Sequence, residues 1–429
     1  MEEEKGLLKS FPGTYWVAIL LELFERGAYY GLNAVLAFYL VLEVVNGGMG
    51  FSEAQVGFLQ GWVYVLTYVV PIIGGALAER YGYRRMLMFA FSLLSLGYFV
   101  SGHVSTYGIV FASLLVMATG SGLFKPIITG TVARTTTKET SAFGFGVYYW
   151  AINLGALIAP AVVIYISGFS WSYVFIASSA YCALMLIPVI FFYKEPPKPK
   201  TSKTLGQSVT EMLMVLSDFR FMLMIVIYST FWILYFQMFN TVIWYSMDFV
   251  DMTKVNSVLT SFVQIFSKDA TLEWNPAMVT MVNAGTIVLL QVFVSKIVKN
   301  LKAFPVMVFG VLIGTLGFVF LAVFEDPWMF VLGIAVFSIG EMTAHPKYYS
   351  YIGLVAPKDK VAVYMGYAFL YGIIGSLVGS NLGANLYTYF VETHNKPRLL
   401  WVTFSVLGFC SAMGLILYNK FIAPKEAAE

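Results

Sequence analysis

The chain has 429 residues, of which 59% are hydrophobic and only 11% charged. A soluble domain carries about a quarter charged residues to keep its surface wetted, so this composition excludes a water-soluble globule and makes lipid the solvent for much of the surface. The net charge of +3 is small, and what matters is where the charges fall.

Residues Met1–Ser10 are polar and charged, without a cleavable signal pattern. Twelve apolar stretches follow, near 14–44, 53–79, 84–103, 107–135, 141–167, 171–193, 220–249, 275–298, 303–324, 328–355, 361–391 and 399–421. At about 1.5 Å per residue each is long enough for a hydrocarbon core of roughly 30 Å. Between the sixth and seventh lies the basic, proline-rich run from Lys194 to Lys200, leading into an amphipathic stretch, Leu205 to Ser217, expected on the membrane surface. The expected organisation is a six-helix bundle over 1–195, a cytoplasmic linker over 196–217 and a second six-helix bundle over 218–429, with a polar cavity between the bundles. Such an arrangement suits a transporter built from two repeats.

Basic residues in the short loops set the orientation. With the N-terminus inside, the cytoplasmic loops hold fourteen: Arg80, Arg84, Arg85, Arg134, Lys138, Lys194, Lys198, Lys200, Lys203, Lys296, Lys299, Lys302, Lys358 and Lys360. The other side holds four, Lys254, Lys268, Lys396 and Arg398. Both termini are therefore expected in the cytoplasm, in the cell membrane. Gly375, Gly379 and Gly383 repeat every four residues in the eleventh span, a spacing that lets helix backbones approach.

Ionisable residues inside membrane helices are costly and mark function by default. The first span carries Glu22, Glu25 and Arg26 on one helical face, continued by Tyr29 and Tyr30. Two carboxylates beside one guanidinium leave a surplus negative charge, which a second cation or a proton must neutralise. Lys125 in the fourth span and Glu341 in the tenth are the candidates to complete this network. Counted from the cytoplasmic ends, Glu22 lies roughly 12 Å deep, Lys125 about 15 Å, Arg26 about 18 Å and Glu341 about 21 Å, one layer. A Lys125–Glu341 contact would cross between bundles, where a gate is useful. Carboxylates whose surroundings change between states bind protons conformation-dependently, which is what proton coupling requires. Sodium is the competing coupling ion, and the adjacent cations argue against it.

Gly75-Ala76-Leu77-Ala78-Glu79-Arg80-Tyr81-Gly82-Tyr83-Arg84-Arg85 resembles the signature loop of the major facilitator superfamily. That implies an all-α membrane fold of twelve helices, with Gly75, Glu79, Arg80, Gly82, Arg84 and Arg85 as a conformational loop. Glu22-Leu23-Phe24-Glu25-Arg26-Gly27-Ala28-Tyr29-Tyr30-Gly31 is similar to the helix 1 signature of the proton-coupled oligopeptide transporters. Gly122 to Pro126, Tyr149 to Leu157, and Gly340-Glu341 with Pro346 and Ala356-Pro357 match further segments of that family in order. Phe231-Trp232 with Gln237, and Asn275-Pro276, are weaker echoes.

The resemblance implies proton symport of short peptides or peptide-like molecules, with Glu22, Glu25, Arg26, Lys125 and Glu341 coupling the proton. Tyr29, Tyr30, Asn33, Lys125, Asn153, Trp232, Gln237, Asn275, Glu341 and His345 would line the substrate site. The chain departs from the family pattern at Asn33, where a second arginine is common. It departs again at Phe236, at Ala368 in place of a tryptophan, and at His345 followed by Lys347. The alternative is a major facilitator carrier for another solute, as antiporter or uniporter. No enzymatic machinery is visible, because the three histidines are far apart in the chain and no nucleophile–base motif accompanies them. No metal or cofactor is expected beyond the coupling proton. Lipid is the expected environment, nucleic acid is not an expected partner, and a monomer is expected.

Overall fold

The computed structural model describes residues 11–136, 140–196, 215–298, 300–357, 364 and 367–423. Lys138, most of the 196–217 linker, Lys299, Lys358, Lys360 and the start of the eleventh span lie outside the described residues. All regular structure among the described residues is helical. The helices are α1 Gly13–Val41, α2 Glu53–Tyr81, α3 Tyr83–Ser101, α4 Tyr107–Thr135, α5 Ser141–Ser167, α6 Trp171–Leu184 and α7 Leu186–Phe191. They continue as α8 Phe219–Gln237, α9 Thr241–Asp248, α10 Thr253–Gln264, α11 Ala277–Val298, α12 Ala303–Val323 and α13 Pro327–Val355. The last are α14 Leu370–Tyr387 and α15 Pro397–Phe421.

Each of the twelve expected spans is occupied by a helix or a broken pair, α6 with α7 and α8 with α9. Seven described spans, counting α6 with α7 and α8 with α9 as one each, are by length and composition alone apolar enough to cross a membrane, and α2, bent by 44° just after Pro71, makes an eighth. Helix α1 carries three ionisable residues, Glu22, Glu25 and Arg26, within its apolar run. The sixth span breaks at Met185, three residues before Pro188, which has no N–H for the helix ladder. The seventh breaks before Asn240, whose side chain accepts the Thr241 N–H at 2.7 Å. Helix α10, between the seventh and eighth spans, has no counterpart among the expected elements.

The described contacts divide the chain into two units. The first comprises Met1–Asn33, Leu42–Phe51 and Trp62–Ser208, and the second Ala34–Val41, Ser52–Gly61 and Val209–Glu429. This grouping follows contacts rather than the division at the linker, because the far ends of α1 and α2 go with the second unit.

In the first unit α3 packs closely on α4, and Tyr15 of α1 donates to the Gly144 carbonyl of α5 at 2.8 Å. A side chain at Gly155 of α5 would meet the Leu23 carbonyl at 3.1 Å and Arg26 Cβ at 3.2 Å, so glycine there lets α5 run against the charged turn of α1. In the second unit α12 and α13 form the most extensive helix pair. Gly340 makes that possible: a Cβ there would lie 2.2 Å from the Gly314 nitrogen. The 375–379–383 glycine stripe of α14 faces Trp232, Ile233 and Gln237 of α8. In the same unit, the Trp244 indole of α9 donates to the Ala37 carbonyl at 3.0 Å and Gln60 of α2 to the Phe239 carbonyl at 3.3 Å. These bonds hold the far ends of α1 and α2.

Candidate functional site

The charged turn of α1 is closed off from solvent: Glu22, Glu25 and Arg26 are 1%, 0% and 5% exposed. Arg26 Nε donates to Glu25 Oε2 at 2.5 Å, and a second guanidinium nitrogen also pairs with Glu25. Glu22 Oε1 lies 3.6 Å from the same Nε. Ser121 of α4 completes the arrangement, donating to Glu25 Oε1 at 2.8 Å and accepting from Arg26 at 3.3 Å. The guanidinium also sits 5.0 Å from the Tyr29 ring centre and 5.7 Å from that of Tyr30. This is cation–π distance. Among the described residues one cation is in ion-pair contact with the two carboxylates, and Lys125 acts on them from further off. Tyr148 of α5 presents its hydroxyl to Glu22, yet Glu22 Oε2 is buried with no partner at hydrogen-bond geometry among the described residues. An unpartnered oxygen is costly on a buried carboxylate and much less so on a neutral carboxyl. The geometry can hold a proton at that atom.

Lys125 lies one helical turn beyond Ser121 on α4, with its ammonium 5.2 Å from the Tyr68 ring centre. Among the described residues of its own unit, it has no carboxylate in ion-pair contact. Asn33 is buried, and its side-chain oxygen accepts the Tyr64 hydroxyl at 2.8 Å. Asn153 is half-buried on α5.

The second unit holds a separate polar cluster. Asn283 of α11 donates to Glu341 Oε2 at 3.1 Å and to Ser338 Oγ at 2.8 Å. One turn along α13, His345 is ringed by aromatics, with centres at 4.9 Å for Trp232, 5.0 Å for Tyr349 and 5.4 Å for Tyr371. Its Nε2 lies 3.4 Å from the Tyr371 hydroxyl, and its Nδ1 is buried without a hydrogen-bond partner among the described residues. Lys347 points away, donating to the Leu301 carbonyl at 2.8 Å. Gln237 is fully engaged: its amide donates to the Ile233 and Gly379 carbonyls at 2.7 and 3.0 Å and its oxygen accepts from Thr241 at 2.9 Å. It thus cross-links α8 to α14. Asn275 accepts the Ala277 N–H at 3.0 Å, a capping role at the start of α11.

The 75–85 segment turns at Gly82, whose φ of +94° favours glycine. Glu79 pairs with Arg134 of α4 and accepts the Tyr83 hydroxyl at 2.8 Å. Glu195 accepts the Tyr83 and Arg84 backbone N–H groups at 3.1 and 2.9 Å, placing an anion on the α3 N-terminus. Arg84 in turn donates to the Val189 carbonyl at 3.2 Å and to that of Ile190. The loop therefore ties α2, α3 and α4 to the chain leaving α7.

The family model described as Major Facilitator Superfamily matches residues 23–380. The chain belongs to the Major Facilitator Superfamily. The superfamily's fold is also found in a solved structure of a POT family transporter in complex with 5-aminolevulinic acid. It superposes with a TM-score of 0.80 at 18% identity, covering 97% of this chain and 99% of that one. Among curated relatives, an uncharacterised transporter of Bacillus subtilis, YclF, is 32% identical over 163 residues, 37% of this chain and 33% of its own. A di-/tripeptide transporter of Lactococcus lactis is 31% identical over 166 residues, 38% of this chain and 32% of its own. The matched segments thus span about a third of the length of these relatives.

Within this Major Facilitator chain, sequence reasoning found the ionisable residues but missed their partners. Ser121, Tyr64, Tyr68 and Asn283 carry no signal, since hydroxyls and amides are common in membrane helices as packing groups. Asn283 rather than Asn275 touches Glu341, and an Asn-Pro pair opening a helix is itself a capping signature. Glu195 was legible only as part of a charged linker.

Proposed function

We propose that the chain is a proton-coupled symporter of short peptides or peptide-like molecules, of the oligopeptide transporter type, working by alternating access. The observation that carries this reading is the buried cluster of Glu22, Glu25 and Arg26, with two acids on one guanidinium and a buried Glu22 oxygen left without a hydrogen-bond partner among the described residues. Such a cluster has room for a proton, and taking one up removes its surplus charge. The names of the relatives, among them a di-/tripeptide transporter, support peptides as the substrate class.

In this proposal Glu22, Glu25, Arg26, Lys125 and Glu341 carry the coupling. Substrate meets Tyr29, Tyr30, Asn153, Trp232 and Glu341, while Gln237 and Asn275 act by holding helices in place. Asn33, already bonded to Tyr64, is a poor partner for a peptide carboxylate, so the site favours ligands that do not depend on one. The Glu79–Arg134 pair and Glu195 fasten the 75–85 loop in the state described here. The protein works as a monomer in the cell membrane with both termini in the cytoplasm, its two six-helix halves joined by the 196–217 linker, and with the proton as its only cofactor.

The test is uptake of a labelled dipeptide and of its C-terminal amide into proteoliposomes under an inward proton gradient. Accumulation above the outside concentration is expected, lost in Glu22→Gln and Glu25→Gln while exchange of internal for external substrate persists. Accumulation by both variants would place coupling elsewhere. Absence of uptake of either compound by the unmodified protein would refute the substrate class.

A further inference from the structure

Residues 250–274 lie between the seventh and eighth expected spans, and within them Thr253–Gln264 forms α10, which the helical register divides into two unlike faces. At about 100° per residue Val255, Val258 and Phe262 share one side, continued by Phe266 in the turn just past the helix end, while Asn256, Ser257, Thr260 and Gln264 share the other. One flank is fastened to protein. Asn256 accepts the Trp274 N–H at 2.7 Å and Thr260 exchanges two bonds of 3.1 Å with the Leu272 backbone, and on the apolar side Val255, in the first turn, is buried as well. The remaining apolar side chains are not covered: Phe262, Ile265 and Phe266 are 61%, 74% and 77% exposed.

The level of this helix is fixed by its lysine. Lys254 Nζ donates to Asp326 Oδ2 at 2.9 Å, and Asp326 Oδ1 accepts the Trp328 N–H at 2.9 Å in the first turn of α13. Helix α10 therefore begins where α13 enters the apolar layer, beside Trp328, which is 40% exposed. Tryptophans at that position mark the membrane–water interface. We propose that α10 is an interfacial helix, lying along the bilayer surface at the end of the molecule away from its basic loops, with Phe262, Ile265 and Phe266 inserted among lipid chains just below the headgroups.

A clean apolar face on a helix of low overall hydrophobicity is the pattern of such helices. A second copy of the chain is the weaker occupant, because this short stripe falls short of the roughly 800 Å² per partner that a stable interface takes. The lipid-held helix would tether the connection between α9 and α11 to the membrane surface.

Spin labels placed on both faces test this in the full-length protein in phospholipid vesicles. Cys182 is buried and Cys410 exposed, so the background is Cys182→Ala with Cys410→Ala. Labels at Phe262→Cys and Phe266→Cys are expected to lose accessibility to an aqueous nickel chelate and gain accessibility to oxygen. Labels at Ser257→Cys and Gln264→Cys should show the opposite order. Ile265→Cys repeats the measurement, should either phenylalanine variant lose its monodisperse elution. Nickel accessibility at 262, 265 and 266 equal to that at 257 and 264 would overturn the proposal. So would labels shielded from both reagents with dipolar broadening between copies, which would assign the face to a second chain.

Discussion

Replacing Ser121 by alanine removes one oxygen atom from the charged cluster and leaves little empty volume. Its hydroxyl donates to Glu25 at 2.8 Å and accepts from Arg26 at 3.3 Å. Hydrogen bonds to charged groups contribute about 1.5–3 kcal/mol each. The longer bond counts for less, and Arg26 keeps its direct pairing with Glu25. We therefore expect a loss of about 2–3 kcal/mol. At roughly 2–4 °C per kcal/mol for a unit of this size, the unfolding midpoint in detergent should fall by about 5–10 °C. The specific signature is non-additivity. A hydroxyl bonded to a neutral amide contributes only about 1 kcal/mol, so Ser121→Ala should cost less than half as much in a Glu25→Gln background. Midpoints of the four proteins of this cycle, measured at one heating rate, decide the matter. Equal losses in both backgrounds, or no loss in either, would show that Ser121 does not serve the Glu25 carboxylate.

Two further changes address other parts of the molecule. Gly383→Ala would put a Cβ 2.1 Å from Gln237 Oε1, forcing the side chain that links α8 to α14 off its partners; overpacking and broken bonds together should cost about 2–4 kcal/mol, read as a lower thermal midpoint, and an unchanged midpoint would contradict the packing described. Because Asn33 is a neutral group already bonded to Tyr64, a dipeptide and its C-terminal amide should bind within about tenfold of each other, roughly 1.4 kcal/mol, and a much larger preference for the free carboxylate in direct binding would show that a cation meets it.

The spans and their charges were legible because lipid enforces a simple rule: long apolar runs cross, and an ionisable residue within one is an exception that needs a reason. Glu22, Glu25, Arg26, Lys125 and Glu341 stand out on that ground alone. What the rule cannot see is the tertiary partner. Ser121 reads as one more small residue in the fourth span, and only packing of α4 on α1 brings it to Glu25. Tyr64 and Asn283 escape notice for the same reason. Gln237 suggests a pocket residue by type, yet glycines on α14 draw that backbone in until the Gly379 carbonyl accepts a hydrogen bond from the amide. Helix α10 was missed because a search for long apolar windows passes over a helix that is apolar on one face only. The break before α9 depends on Asn240, and that before α7 falls at Met185, three residues ahead of Pro188, a place no periodicity announces.

The central claim is that substrate entry moves protons through the α1 cluster, and intravesicular pH reports it most directly. With a pH dye trapped in proteoliposomes holding the unmodified protein, adding a dipeptide amide outside should acidify the interior. The same addition should cause no acidification with the Glu22→Gln, Glu25→Gln double variant, although exchange of labelled substrate continues. Substrate entry without acidification, or acidification that survives the double substitution, would contradict the account.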